Sequence, residues 1–116
     1  MEQSHGTWGE RVITRLGEYS VTTILYLKPR KRCSFHSHQH AYNQFYVISG
    51  VLVVKTDVGP NRQVNYTRVY PKQSFTVPPG VTHEFYTLDK STIVEEIAYV
   101  KYNIHDIDRK ELGGDY

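Results

Sequence analysis

Three of the six histidines fall within one short run, Phe35-His36-Ser37-His38-Gln39-His40. Neutral imidazole is a good ligand for first-row divalent metals, so a run like this points first to metal chemistry. On an extended strand, residues two apart face the same side with Cα atoms about 6.5 Å apart, close enough for both rings to meet one ion. The outer two of three such residues stand about 13 Å apart and do not converge easily. The chemistry therefore calls for His36 with His38, or for His38 with His40. A further histidine, His83, follows Pro78-Pro79-Gly80-Val81-Thr82, a tight-turn sequence that can deliver it to the same place.

Other residue types could act beside an ion. Glu95 and Glu96 are adjacent on an expected strand and so face opposite sides of the sheet. In a closed barrel one of them points inward, where a carboxylate beside a metal is a candidate acid or base. Lys28-Pro29-Arg30-Lys31-Arg32 reads as a solvated turn or as a cationic rim for a phosphate near the barrel mouth. Ten tyrosines suit strands and a sugar-stacking wall. Cys33 is the single cysteine, which excludes an internal disulfide and reads as a small buried residue. No nucleophile-elbow sequence supports a serine hydrolase.

The elements that must position these groups are strands. The chain has 116 residues, room for one domain, with 14 Lys and Arg against 12 Asp and Glu. A net charge of +2 gives no argument for nucleic acid or an anionic membrane as a partner. No apolar run approaches the roughly 20 residues of a membrane span, and the N-terminal residues lack a signal core, so a cytoplasmic protein is expected. Val21 to Leu27 alternates in a β-rich pattern, and similar runs occupy about 33–38, 43–48, 51–56, 63–70, 73–77, 83–87 and 92–100. Turn residues separate them, including the Asp57-Val58-Gly59-Pro60-Asn61 segment, and no window sustains a helical stripe. This spacing predicts an all-β antiparallel barrel or sandwich.

His36-x-His38, then Asn43 and Gly50, resembles the first motif of the cupins, H-x-H-x-x-x-x-E-x-x-x-x-x-x-G. Pro78-x-Gly80-x-x-His83 resembles the core of their second motif, P-x-G-x-x-H. The resemblance implies a single-domain antiparallel double-stranded β-helix (a jelly-roll, or cupin barrel) over residues 1–116. Its barrel would span about 18–100, flanked by an N-terminal strand and a polar C-terminal tail. It also implies one divalent metal ion (Zn, Fe, Mn, Ni or Co) held by His36, His38, Asn43 and His83. Counting back from Gly50 selects this set over His38, His40 and Gln44, because a one-residue shift turns a side chain to the other face.

Within the cupins the chain is similar to the isomerase domain of type II phosphomannose isomerases. The similarity runs from Trp8-Gly9 through Asn43-Gln44-Phe45-Tyr46-Val47-Ile48-Ser49-Gly50 to Asp106-Ile107-Asp108-Arg109. It implies a mannose-6-phosphate isomerase-like enzyme with a carbohydrate or sugar-phosphate ligand, Glu95 as the catalytic carboxylate, and a homodimer. The strand around Arg11 to Leu16 is expected to add to a partner's sheet. The chain departs from the family at the metal: Asn43 replaces the glutamate, leaving a neutral ligand set. That departure keeps two other functions in view, a non-catalytic sugar- or metabolite-binding module and an Fe(II)-dependent dioxygenase.

Overall fold

Alternating burial along β-strand segments such as 20–27, 42–47 and 82–87 builds one face of the fold into a core. The computed structural model describes residues 2–58, 63–101 and 113–115. Residues 59–62 of the expected turn, and Asp106-Ile107-Asp108-Arg109 in the tail, lie outside the described residues. Nine strands follow in chain order: β1 (Glu2–Gly6), β2 (Gly9–Leu16), β3 (Ser20–Leu27), β4 (Tyr42–Ser49), β5 (Leu52–Val58), β6 (Gln63–Val69), β7 (Ser74–Val77), β8 (Thr82–Thr87) and β9 (Thr92–Tyr99). They form a six-stranded sheet, β1-β2-β3-β9-β4-β7, and a three-stranded sheet, β6-β5-β8, with every pairing antiparallel. The described residues contain no helix, and hence none long and apolar enough to cross a membrane.

The inward positions of both sheets supply the core: Leu25 and Leu27 on β3, Phe45 and Val47 on β4, Leu52 and Val54 on β5, Phe85 on β8 and Val94 on β9. Each of these side chains stabilises the fold by about 1.5–3 kcal/mol on burial. The same faces turn polar at one end of the barrel. Continuing the alternation gives Asn43 on β4, His83 on β8, Thr56 on β5 and Thr23 on β3, all buried. The register lines up Thr23, Glu96 and Phe45 across β3, β9 and β4. The polar groups thus sit on the rigid walls that hold the core, not on an appended loop.

Two glycines mark corners that need them. Gly50, at the β4–β5 turn, has φ +82°, and a Cβ there would lie 2.7 Å from the Ser91 carbonyl oxygen. Gly80, in the turn before β8, also has φ +82° but has open space where a Cβ would stand. L-residues avoid this left-handed region, which glycine enters freely.

Two expectations are corrected here. Residues 33–38 do not form a regular strand; the segment is tied to β8 by the isolated bridges Arg32 to Tyr86 and His36 to His83 and by the Cys33 amide, which donates to the Phe85 carbonyl (3.0 Å). Between them the Phe85 amide donates to Cys33 Sγ (3.1 Å), which breaks the ladder at that point. The segment Arg11 to Leu16 is not the outer strand of its sheet, since β1 covers it as far as Ile13. It belongs to β2, which pairs with β3 on one side and β1 on the other, so the edge position passes to β1.

Candidate metal centre

His36 and His83 come together because their backbones pair. His36 N donates to the His83 carbonyl (3.0 Å) and His83 N to the His36 carbonyl (2.7 Å). An antiparallel pair of this kind sends both side chains to the same face. The Gly80 amide donates to the His38 carbonyl (2.7 Å) and anchors the other end of the segment. The three rings converge with centroids 4.9 Å apart for His36 and His38, 4.6 Å for His36 and His83, and 5.5 Å for His38 and His83. One potential ligand atom from each lies within 4.8 Å of the others, near enough for a small inward adjustment of the rings to place all three on a single cation.

The tautomers follow from the hydrogen bonds. His83 Nδ1 lies 3.0 Å from the Val81 carbonyl oxygen, and His36 Nδ1 lies 2.9 Å from the Ser34 carbonyl oxygen. A carbonyl only accepts, so both Nδ1 atoms carry a proton, which leaves Nε2 as the ring nitrogen open to an ion. Such backbone contacts are how metal-binding histidines are oriented. His83 is 1% exposed, and its Nε2 has no hydrogen-bond partner among the described residues. A buried acceptor left unpaired costs about 1–3 kcal/mol, and a cation at that position would remove the cost. Burial lowers the pKa of both His38 and His83, with the neighbouring imidazoles adding to the shift. Both rings are therefore neutral and ready to ligate at pH 7.

Asn43 stands beside this triad. Its Nδ2 donates to Glu96 Oε2 (3.0 Å) and lies 3.4 Å from His38 Nε2, while its buried Oδ1 is unpaired among the described residues. While Glu96 is ionised it can only accept, which fixes the amide nitrogen toward it. Glu96 is the inward carboxylate of the adjacent pair, where the expectation named Glu95. Thr92 and Val94 set the inward phase of β9, and Glu96 continues it into the cavity while Glu95 takes the opposite phase. Burial raises the Glu96 pKa, and the Arg11 guanidinium and the Asn43 hydrogen bond oppose that rise.

A cavity of about 380 Å³ opens beside the triad. Its polar wall carries His36, His38, Asn43, Glu96 and Arg11, and its apolar wall includes Trp8, Leu25 and Phe85. From the sequence, Arg11 stands only in an expected partner-binding strand; its alternate position on a strand next to β3 is the signal that could have found it. His40 is exposed, and Gln44 lies out of phase with buried Asn43 and Phe45, so the competing register is not assembled. Cys33 borders the cavity with its thiol pushed up to about 11 by burial, a packing residue that does not ionise at neutral pH.

The basic segment is not at this mouth. Arg30 adopts φ +54° and pairs with Asp89 (2.9 Å), both side chains well exposed. With Lys31 and Arg32 it borders a separate surface hollow beside Tyr86. The segment is thus the solvated turn of the two readings, and among the described residues it supplies no cationic rim to the metal cavity.

No protein-family model and no curated protein matches the sequence. Solved structures do match its fold. KdgF from Halomonas sp. superposes with a TM-score of 0.73 at 14% identity, covering 88% of this chain and 90% of that one. The cupin domain of Schizosaccharomyces pombe Cnp3 gives a TM-score of 0.70 at 11% identity, covering 79% of this chain and 64% of that one. A single-residue variant of Bacillus subtilis oxalate decarboxylase gives 0.73 at 19% identity, covering 85% of this chain and 27% of that one. The chain thus has the antiparallel β-barrel fold of the cupins.

Proposed function

We propose that this cupin-fold chain binds one divalent metal ion through the Nε2 atoms of His36, His38 and His83 and acts on a small oxygen-rich molecule in the adjoining cavity. The observation that carries this reading is the buried His83 Nε2, unpartnered among the described residues and oriented by the Val81 carbonyl beside two further imidazoles. Asn43, at the position where the resembling family has glutamate, stands beside the triad as a weak neutral ligand or as an orienting group. Metal analysis of protein purified without chelators tests the reading. One equivalent of ion, lost in His83→Ala, supports it; no ion under any loading condition overturns it.

The reaction we propose is aldose–ketose isomerisation of a sugar or sugar derivative, in keeping with the resemblance to phosphomannose isomerases. A bound divalent ion would polarise the carbonyl and hydroxyl oxygens of such a molecule. Glu96 takes the role that the resemblance implies for Glu95: it removes a proton from the carbon beside the carbonyl and returns it to the adjacent carbon. Its support is its place in the cavity and a pKa moved toward the neutral range, which suits a group that must both accept and donate. Incubating candidate sugars in deuterated water reads the exchange directly. Deuterium entering the substrate during turnover supports the shuttle, loss of turnover in Glu96→Gln with metal retained ties it to this residue, and binding without turnover at any metal favours the non-catalytic module. Oxygen consumption would favour the dioxygenase. A second copy of the chain, adding to the outer edge of β1, is the partner we propose.

A further inference from the structure

Charge balance narrows what the cavity can hold, and the inference rests on the metal reading above. The triad contributes no negative charge, because a ligating imidazole is neutral and Asn43 stands where a carboxylate would. The Cys33 thiol at the rim is also protonated. The remaining ionisable groups on the wall are Arg11 and Glu96, one of each sign. A divalent ion with Arg11 brings three positive charges, and Glu96 supplies at most one negative. At least two positive charges then stay uncompensated around the cavity of about 380 Å³, one beside its partly apolar wall and one on Arg11, which is exposed at the mouth. Low-dielectric walls strengthen that field, so an anion is favoured and a neutral polyol is not.

The chemistry of the wall also chooses the kind of anion. Arg11 feels the charge of Glu96, but no hydrogen bond or ion pair among the described residues engages its guanidinium, so its donor fork is open to a ligand. One planar fork matches one carboxylate in bidentate fashion. A phosphate dianion presents three oxygens and usually gathers several cationic or backbone donors. The Arg30, Lys31 and Arg32 side chains that could have served border a different hollow. We propose that the ligand is a small hydroxy- or oxo-carboxylate, its carboxylate toward Arg11 and the ion, and that Arg11 is the specificity-determining residue.

Matched probes test this by calorimetry on metal-loaded protein of measured stoichiometry. Gluconate and sorbitol differ only in a carboxylate for a hydroxymethyl group, and mannose 6-phosphate presents the competing anion. Gluconate is expected to bind at least tenfold tighter than either. Arg11→Gln should lose about 10- to 100-fold in gluconate affinity with metal content unchanged, and Arg11→Lys should recover part of it. Asn43→Glu should weaken gluconate binding because it supplies the missing negative charge from the protein. Equal affinity for gluconate and sorbitol, or a preference for mannose 6-phosphate, overturns the carboxylate assignment while leaving the metal reading intact. Absence of metal uptake, seen before any probe is added, overturns both.

Discussion

Asn43→Glu should push the metal-free and metal-loaded proteins in opposite directions. Asn43 is 3% exposed, and its amide nitrogen donates to Glu96 at 3.0 Å. Glutamate removes that donor, and a hydrogen bond to a charged acceptor is worth about 1.5–3 kcal/mol. It also sets a second carboxylate against the first; two like charges about 4 Å apart repel by about 4 kcal/mol at an effective dielectric of 20. One of the pair escapes part of this by taking a proton, so a net loss of about 2–4 kcal/mol is expected without metal. For a domain of this size that is a fall of roughly 10–20 °C in melting temperature. With metal bound, the added carboxylate faces a cation held by neutral ligands, and affinity should rise at least tenfold, about 1.4 kcal/mol. Thermal melts in chelator and in excess metal, with competition against a metallochromic indicator, measure both arms. An unchanged metal-free melting temperature would show that Asn43 and Glu96 are not in contact, and unchanged metal affinity would place residue 43 outside the ion's reach.

Asn43→Ala should weaken metal binding less than His83→Ala, because water can replace an amide oxygen but not a buried imidazole; the same indicator competition ranks them. The metal-free protein should lose stability as pH falls below 6.5, the ordinary histidine value, because burial depresses the folded pKa of His38 and His83. Their contribution is complete above that pH and is lost as pH drops through the depressed folded values, so His83→Gln should flatten the acid limb of a stability–pH curve from urea melts. Gly50→Ala should cost more than Gly80→Ala, about 2 kcal/mol or more against about 1 kcal/mol, since both have φ +82° but only Gly50 has neighbours where the methyl would go; paired denaturation midpoints settle the order. Light scattering should give twice the 13.5 kDa chain mass if β1 edges pair between copies, and a monomer mass would refute that partner.

The sequence by itself determined β2 to β9 and most of the inward faces, though not β1 or the irregular course of residues 33–38, because burial on one side of a sheet writes a period of two into residue types. Val21 to Leu27 and Thr82 to Thr87 alternate plainly, and Gly80 signals the turn that precedes His83. The spacing from Gly50 picked out Asn43 as a motif position, but the ladder with β9 shifts register between Val47 and Ser49, so it is the buried alternation Asn43-Phe45-Val47 that faces Asn43 inward. The pattern failed where both faces are partly covered. Along Ile93-Val94-Glu95-Glu96-Ile97 apolar residues occupy both phases, so only pairing with β3 and β4 decides that Glu96 faces the cavity. Arg11 became a cavity residue through β2 joining β3, and Lys28–Arg32 left the mouth through the Arg30 turn and its pair with Asp89. The meeting of His36 with His83 is likewise a contact between distant parts of the chain. Local side-chain pattern carries which face of a strand is buried, whereas which charged groups share one cavity depends on strand order and register, and those are set by long-range backbone pairing.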